Sequence, residues 1–112
     1  MCAAKEIGAL NKNGMQALTQ GNYGNAEFML HQALRKATGL GAEAYTAKIQ
    51  NNLGLVLAAQ GKQREAAELF ANALVAIERK IGCENSLYRS VLRNLQATGH
   101  GSLISGCSQA AA

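Results

Sequence analysis

Apolar residues recur along this chain at three- and four-residue intervals in five successive stretches. Ile7, Leu10, Ala17 and Leu18 mark the first, over about residues 4–20. Ala26, Leu30, Ala33, Leu34 and Ala37 mark the second, over about 23–38. Tyr45, Ile49, Leu53, Val56 and Leu57 belong to the third, about 42–60, and Ala66, Phe70, Ala73, Leu74 and Ile77 to the fourth, about 62–81. Leu87, Val91, Leu92 and Leu95 form the fifth, about 85–98. This spacing places each set on one face of a helix, and no alternating run of the kind a strand needs is present. Gly21, the run Gly39-Leu40-Gly41, Gly61 and Gly82 fall between the stretches, where a left-handed residue ends a helix. The expectation is an all-α chain of five helices.

One glycine stands apart. Gly54 lies inside the third helix, where glycine costs about 1 kcal/mol relative to alanine. Close approach of the fourth helix at Ala66 is the expected reason. The first half of the chain carries the same arrangement. Gly14, Gly21, Ala26, Leu30, Ala33 and Leu34 recur as Gly54, Gly61, Ala66, Phe70, Ala73 and Leu74, each 40 residues later. A fixed period of this size predicts a stack of antiparallel helix hairpins. A third copy begins when Asn52-Leu53 recurs as Asn94-Leu95, 42 residues on, but Gln96 replaces the glycine. With no partner helix following, nothing has to come close there, so the fifth helix reads as a cap with a polar outer face. The expected helical domain is 1–98, with repeats at about 7–46 and 47–88 and the capping helix at about 85–98. Residues 99–112, rich in Gly, Ser and Ala around Leu103 and Ile104, are expected to form a disordered tail.

Composition narrows the function. At 112 residues the chain is one domain, with no proline or tryptophan. Eleven Lys and Arg against seven acidic residues, all Glu, give a net charge of +4. The basic residues are scattered, which gives no basis for a nucleic-acid surface. No window is apolar enough to span a membrane, and the N-terminus lacks an apolar signal core. Cys2, Cys83 and Cys107 are odd in number and far apart, which fits reduced thiols and a cytoplasmic location.

The small residues at Gly54, Ala66 and Ala73 around Phe70, repeated as Gly14, Ala26, Ala33 and Leu30, resemble the tetratricopeptide repeat. The resemblance covers about residues 7–98. The period of 40 to 42, with Asn51-Asn52-Leu53-Gly54, Gln60-Gly61-Lys62 and a closing Glu78-Arg79-Lys80-Ile81-Gly82, is similar to the long-period repeats of kinesin light chains. In the first copy Asn13 stands where the second has Leu53. Glu78 occupies the place of the usual proline, consistent with a second helix that runs on. The resemblance implies a right-handed superhelical stack of two units plus a capping helix. It also implies a concave groove, lined by the first helix of each hairpin, that holds an extended peptide.

Carried over residue by residue, the groove positions are Gly8, Asn11, Lys12, Met15, Leu18 and Thr19 in the first copy. In the second they are Lys48, Asn51, Asn52, Leu55, Ala58 and Ala59, and in the third Ser90, Arg93, Asn94 and Ala97. Asparagine amides donate and accept, so Asn52 and Asn94 can bracket a peptide bond, or else bond across neighbouring helices and fix the stacking. Lys12, Lys48 and Arg93 would attract an acidic segment or a terminal carboxylate, and Met15 and Leu55 could seat an apolar side chain. Of the five positions of the family's chaperone-tail clamp only Asn52 matches; Asn11, Met15, Ser90 and Asn94 fill the others.

Catalytic chemistry has no foothold in the residue pattern. Gly39-Leu40-Gly41-Ala42-Glu43-Ala44 fits a dinucleotide fingerprint by letters but follows a helix rather than a strand, and Gly61-Lys62-Gln63 is not a phosphate loop. His31 and His100 have no carboxylate or cysteine at ligand spacing. The expectation is a non-enzymatic adaptor for a protein or peptide partner, with no cofactor, metal, nucleic acid or membrane. The alternative is a self-associating structural module, a homodimer whose copies cover each other's outer apolar faces.

Overall fold

The computed structural model describes residues 3–103. It contains five α-helices: α1 (Ala3–Thr19), α2 (Tyr23–Gly39), α3 (Glu43–Ala59), α4 (Gln63–Ile81) and α5 (Ser86–Ala97). A single 3-10 turn, Gly101–Leu103, follows and packs on α4 and α5. No strand occurs among the described residues. Every helix bound lies within one residue of its expected place. The remainder of the stretch assigned to a tail, residues 104–112, lies outside the described residues.

The first three turns are built alike. Gly21, Gly41 and Gly61 are left-handed, with φ of 78°, 68° and 83°. At each, two N–H groups reach back to the last free carbonyls of the preceding helix. Asn22 N bonds Ala17 O at 2.8 Å and Gly21 N bonds Leu18 O at 3.0 Å. Ala42 and Gly41 do the same to Ala37 and Thr38, and Lys62 and Gly61 to Leu57 and Ala58. This is the Schellman arrangement, which only a left-handed residue completes. The fourth turn differs. Asn85 closes it, donating from Nδ2 to Gly82 O (2.9 Å) while its Oδ1 accepts from Tyr88 N (2.7 Å) and so caps α5.

Antiparallel α1–α2 and α3–α4 are the two hairpins, and α3 joins them. One core cluster gathers Ile7, Ala17, Ala26, Leu30, Ala33 and Ala37 from the first hairpin with Ile49, Leu53 and Val56 of α3. The other gathers Ala66, Ala67, Phe70, Ala73, Leu74 and Ile77 of α4 with Ala47 of α3 and Tyr88, Val91 and Leu95 of α5. The helix α3 is therefore apolar on two sides, unlike α5, whose outer residues Ser86, Arg89, Arg93 and Gln96 are exposed. Burial of this kind is the main stabilising term, about 25 cal/mol per Å² of apolar surface. The stack measures 42 × 30 × 19 Å.

Close approach of α4 at Gly54 is real, and the atoms nearest to that glycine belong to Phe70, one turn after Ala66. A Cβ on Gly54 would stand 2.5 Å from Cε1 of Phe70, and one on Gly14 would stand 2.8 Å from Cγ of Leu30. Side chains lean toward the N-terminus of their own helix, so the residue one turn further along α4 covers the spot opposite Gly54. Gly14, Ala26, Leu30 and Ala33, like Gly54, Ala66, Phe70 and Ala73, are all buried.

Ion pairs close the open end of each hairpin. Lys36 Nζ lies 3.1 Å from Glu6, and Glu43 takes Arg79 at 3.0 Å and Lys80 at 3.8 Å. All are partly exposed, so each contributes less than about 1 kcal/mol. Cys83 departs from the expectation of reduced thiols, since it is disulfide-bonded. Cys2 and Cys107 lie outside the described residues.

Candidate peptide-binding groove

The first helices, α1, α3 and α5, present the residues assigned to the groove. Two amide pairs tie them together. Asn52 Nδ2 donates to Asn11 Oδ1 at 2.7 Å, joining α3 to α1, and Asn94 Nδ2 donates to Asn51 Oδ1 at 2.9 Å, joining α5 to α3. The rule is the same both times. The later asparagine of the motif donates to the residue one place earlier in the preceding copy. Their first role is therefore to set the register of the stack. Asn51 is only 8% exposed and is committed to that role. Asn11, Asn52 and Asn94 are half-buried. Each pair uses one donor and one acceptor, so Asn11 Nδ2 and Asn94 Oδ1 have no partner among the described residues.

Beside the Asn51–Asn94 bridge, α3 and α5 border two hollows. One, of about 360 Å³, is lined by Ala44, Tyr45, Lys48 and Leu87. The other, of about 190 Å³, is lined by Leu55, Ala58, Gln63, Phe70, Asn94, Ala97 and Thr98. Both are predominantly apolar. Leu55 also packs on the second core cluster, whereas Met15 packs on the first and opens onto neither hollow. Gly8 lies under the Tyr45 hydroxyl, 3.2 Å from where its Cβ would be. Leu18 is half-buried against the first core, Thr19 donates to Met15 O at 3.1 Å, and Ala59 is exposed.

Charge on this face has one sign. Lys12, Lys48 and Arg93 are exposed and have no carboxylate partner among the described residues; Arg93 reaches only the half-buried Ser90, at 3.4 Å. Glu6 and Glu43 sit in first turns and are paired with cations of α2 and α4. The remaining glutamates lie on α2, on α4 or in the loop before α5.

Residue reasoning missed Ala44, Tyr45 and Leu87 in the larger hollow and Gln63, Phe70 and Thr98 in the smaller one. The family template begins its groove positions at Lys48, one turn after Tyr45, and so passes over the extra first turn of α3. A third hollow, of about 250 Å³, lies on the opposite side between α2, α3 and α4, lined by Thr38, Thr46, Asn72, Val75 and Arg79 among others. No group of three or more His, Cys, Asp or Glu side chains that could hold a metal occurs among the described residues. No described helix is long and apolar enough to cross a membrane.

Comparison with known proteins agrees with this geometry. Residues 46–88, which span most of α3, all of α4 and the start of α5, match the family model described as tetratricopeptide repeat. No curated protein matches the chain. Repeats of this family mediate protein–protein interaction and are non-enzymatic. Residues 46–88 are a tetratricopeptide repeat, and the hairpin before them carries the same small-residue seam.

Proposed function

We propose that this protein is an adaptor that holds an extended, acidic segment of a partner protein along α1, α3 and α5. The observation that carries the reading is the charge arrangement. Lys12, Lys48 and Arg93 face outward without carboxylates, while every glutamate of the first helices is paired away from them. Opposite charge steers such a segment in and fixes its register, and the effect weakens with salt. The free amide groups of Asn11 and Asn94 suit the backbone of an extended chain, which presents a donor and an acceptor at each residue.

Titration of a fluorescein-labelled, glutamate-rich peptide into the wild-type protein and into a Lys12→Glu/Lys48→Glu variant tests this. The expected result is a loss of affinity of about tenfold or more in the variant, with a flatter salt dependence. Unchanged affinity and salt dependence would remove the groove from consideration. The competing reading is self-association, favoured by the exposure of Phe28 (63%) on α2 and Val75 (49%) on α4. Light scattering over a dilution series separates the two, since a dimer that persists on dilution and excludes the peptide would favour assembly.

A further inference from the structure

The two hollows beside the Asn51–Asn94 bridge set a spacing as well as a chemistry. Resting on the groove reading above, we infer that the partner segment carries two apolar side chains four residues apart. An acidic residue two places beyond one of them, on the same side of the extended chain, would lie beside Lys48.

The spacing follows from the helices that frame the groove. Tyr45 lines the larger hollow and Leu55 the smaller one, ten residues apart on α3, and Leu87 and Ala97 stand in the same relation on α5. Ten residues of helix rise about 15 Å. An extended chain covers that in four to five residues, at about 3.3 Å each. Side chains of an extended chain alternate, so two that enter the same surface are separated by an even number. Four is the even number that fits. Asn94 belongs both to the bridge and to the lining of the smaller hollow, so a chain that enters that hollow passes the amide, where Asn94 Oδ1 accepts an N–H. Lys48 lines the larger hollow and has no ion-pair partner among the described residues, which places the acidic group there. The smaller hollow has no charged lining residue and takes only the apolar side chain.

The probe is a panel of labelled nine-residue peptides in a serine-rich background. Each has two leucines spaced by two, four or six and one glutamate two places outside either leucine, and both chain directions are made. Binding is read by fluorescence anisotropy against the wild-type protein, Ala44→Trp and Ala97→Trp. Ala44 and Ala97 are exposed at the hollows' edges, so a tryptophan plugs each hollow without entering the core. The inference requires the four-residue spacing to bind at least about tenfold tighter than the other two, the worth of one apolar side chain buried. It also requires each tryptophan variant to erase that preference. Affinity that depends on Lys48 but ignores leucine spacing would overturn this inference and leave the groove reading in place. Binding indifferent to Lys12→Glu/Lys48→Glu would overturn both. The spacing comparison runs on wild-type protein, so it stands even if a variant folds poorly.

Discussion

The hairpins α1–α2 and α3–α4 are built on one plan and differ in what covers them. Both end their first helix in the same Schellman turn and press a large α2 or α4 side chain against a glycine. In the first hairpin that side chain is Leu30, and among the described helices α1 packs on α2 and α3 alone. In the second it is Phe70, and the hairpin has α2 on one side and α5 on the other. Tighter contact and two-sided burial go together. A flat ring edge at 2.5 Å leaves no room for a methyl group, whereas Leu30 at 2.8 Å is the softer neighbour. The repeat plan sets the geometry, and position within the stack decides how firmly it is enforced.

The largest effect should come from emptying the contact. Phe70→Ala is expected to cost about 4 kcal/mol and Leu30→Ala about 3, both read from denaturant midpoints. Equal or reversed costs would break the ranking of the hairpins. Next comes filling the glycine. Gly54→Ala gains about 1 kcal/mol in helix propensity but forces the Phe70 ring aside, for a net loss of about 1–2 kcal/mol. Gly14→Ala should change stability by less than about 1 kcal/mol. In a Phe70→Leu background, which gives the second hairpin the first one's side chain, the cost of Gly54→Ala should fall by about 1 kcal/mol. Strict additivity would mean that ring and glycine are not the coupled pair.

Smaller effects follow from the amide pairs. Asn94→Ala leaves the buried Asn51 carbonyl unpaired and should cost about 1–2 kcal/mol. Asn52→Ala exposes only half-buried Asn11 to water and should cost about 0.5–1 kcal/mol. The smallest difference belongs to the exposed ion pairs. Glu43→Gln and Glu6→Gln should each shift stability by no more than about 0.5 kcal/mol, and the shift should vanish in high salt.

Helices, turns and the repeat were legible in the residues because each rests on local rules. Glycine marks the left-handed stop, and apolar spacing marks the buried face. The contacts between copies were less legible. The 40-residue offset aligns Asn11 with Asn51 and Lys12 with Asn52, yet the bonds run across that alignment, from Asn52 to Asn11 and from Asn94 to Asn51. Sequence aligns equivalent positions, while stacking juxtaposes neighbouring ones. The same reason hid Phe70 behind Ala66 as the neighbour of Gly54. The hollows at Tyr45 and Leu87 were lost to a family template shorter than these helices. The disulfide at Cys83 had no signal in three scattered cysteines.

The central claim concerns which face of the second hairpin meets a partner. Backbone and side-chain amide shifts of nitrogen-labelled protein, followed while the acidic two-leucine peptide is added, report this directly. Binding in the groove predicts shifts concentrated at Tyr45, Lys48, Leu55, Arg93 and the side-chain amides of Asn11 and Asn94, with Asn72, Val75 and Arg79 unmoved. Shifts centred on Asn72, Val75 and Arg79, in the hollow between α2 and α4, would contradict it.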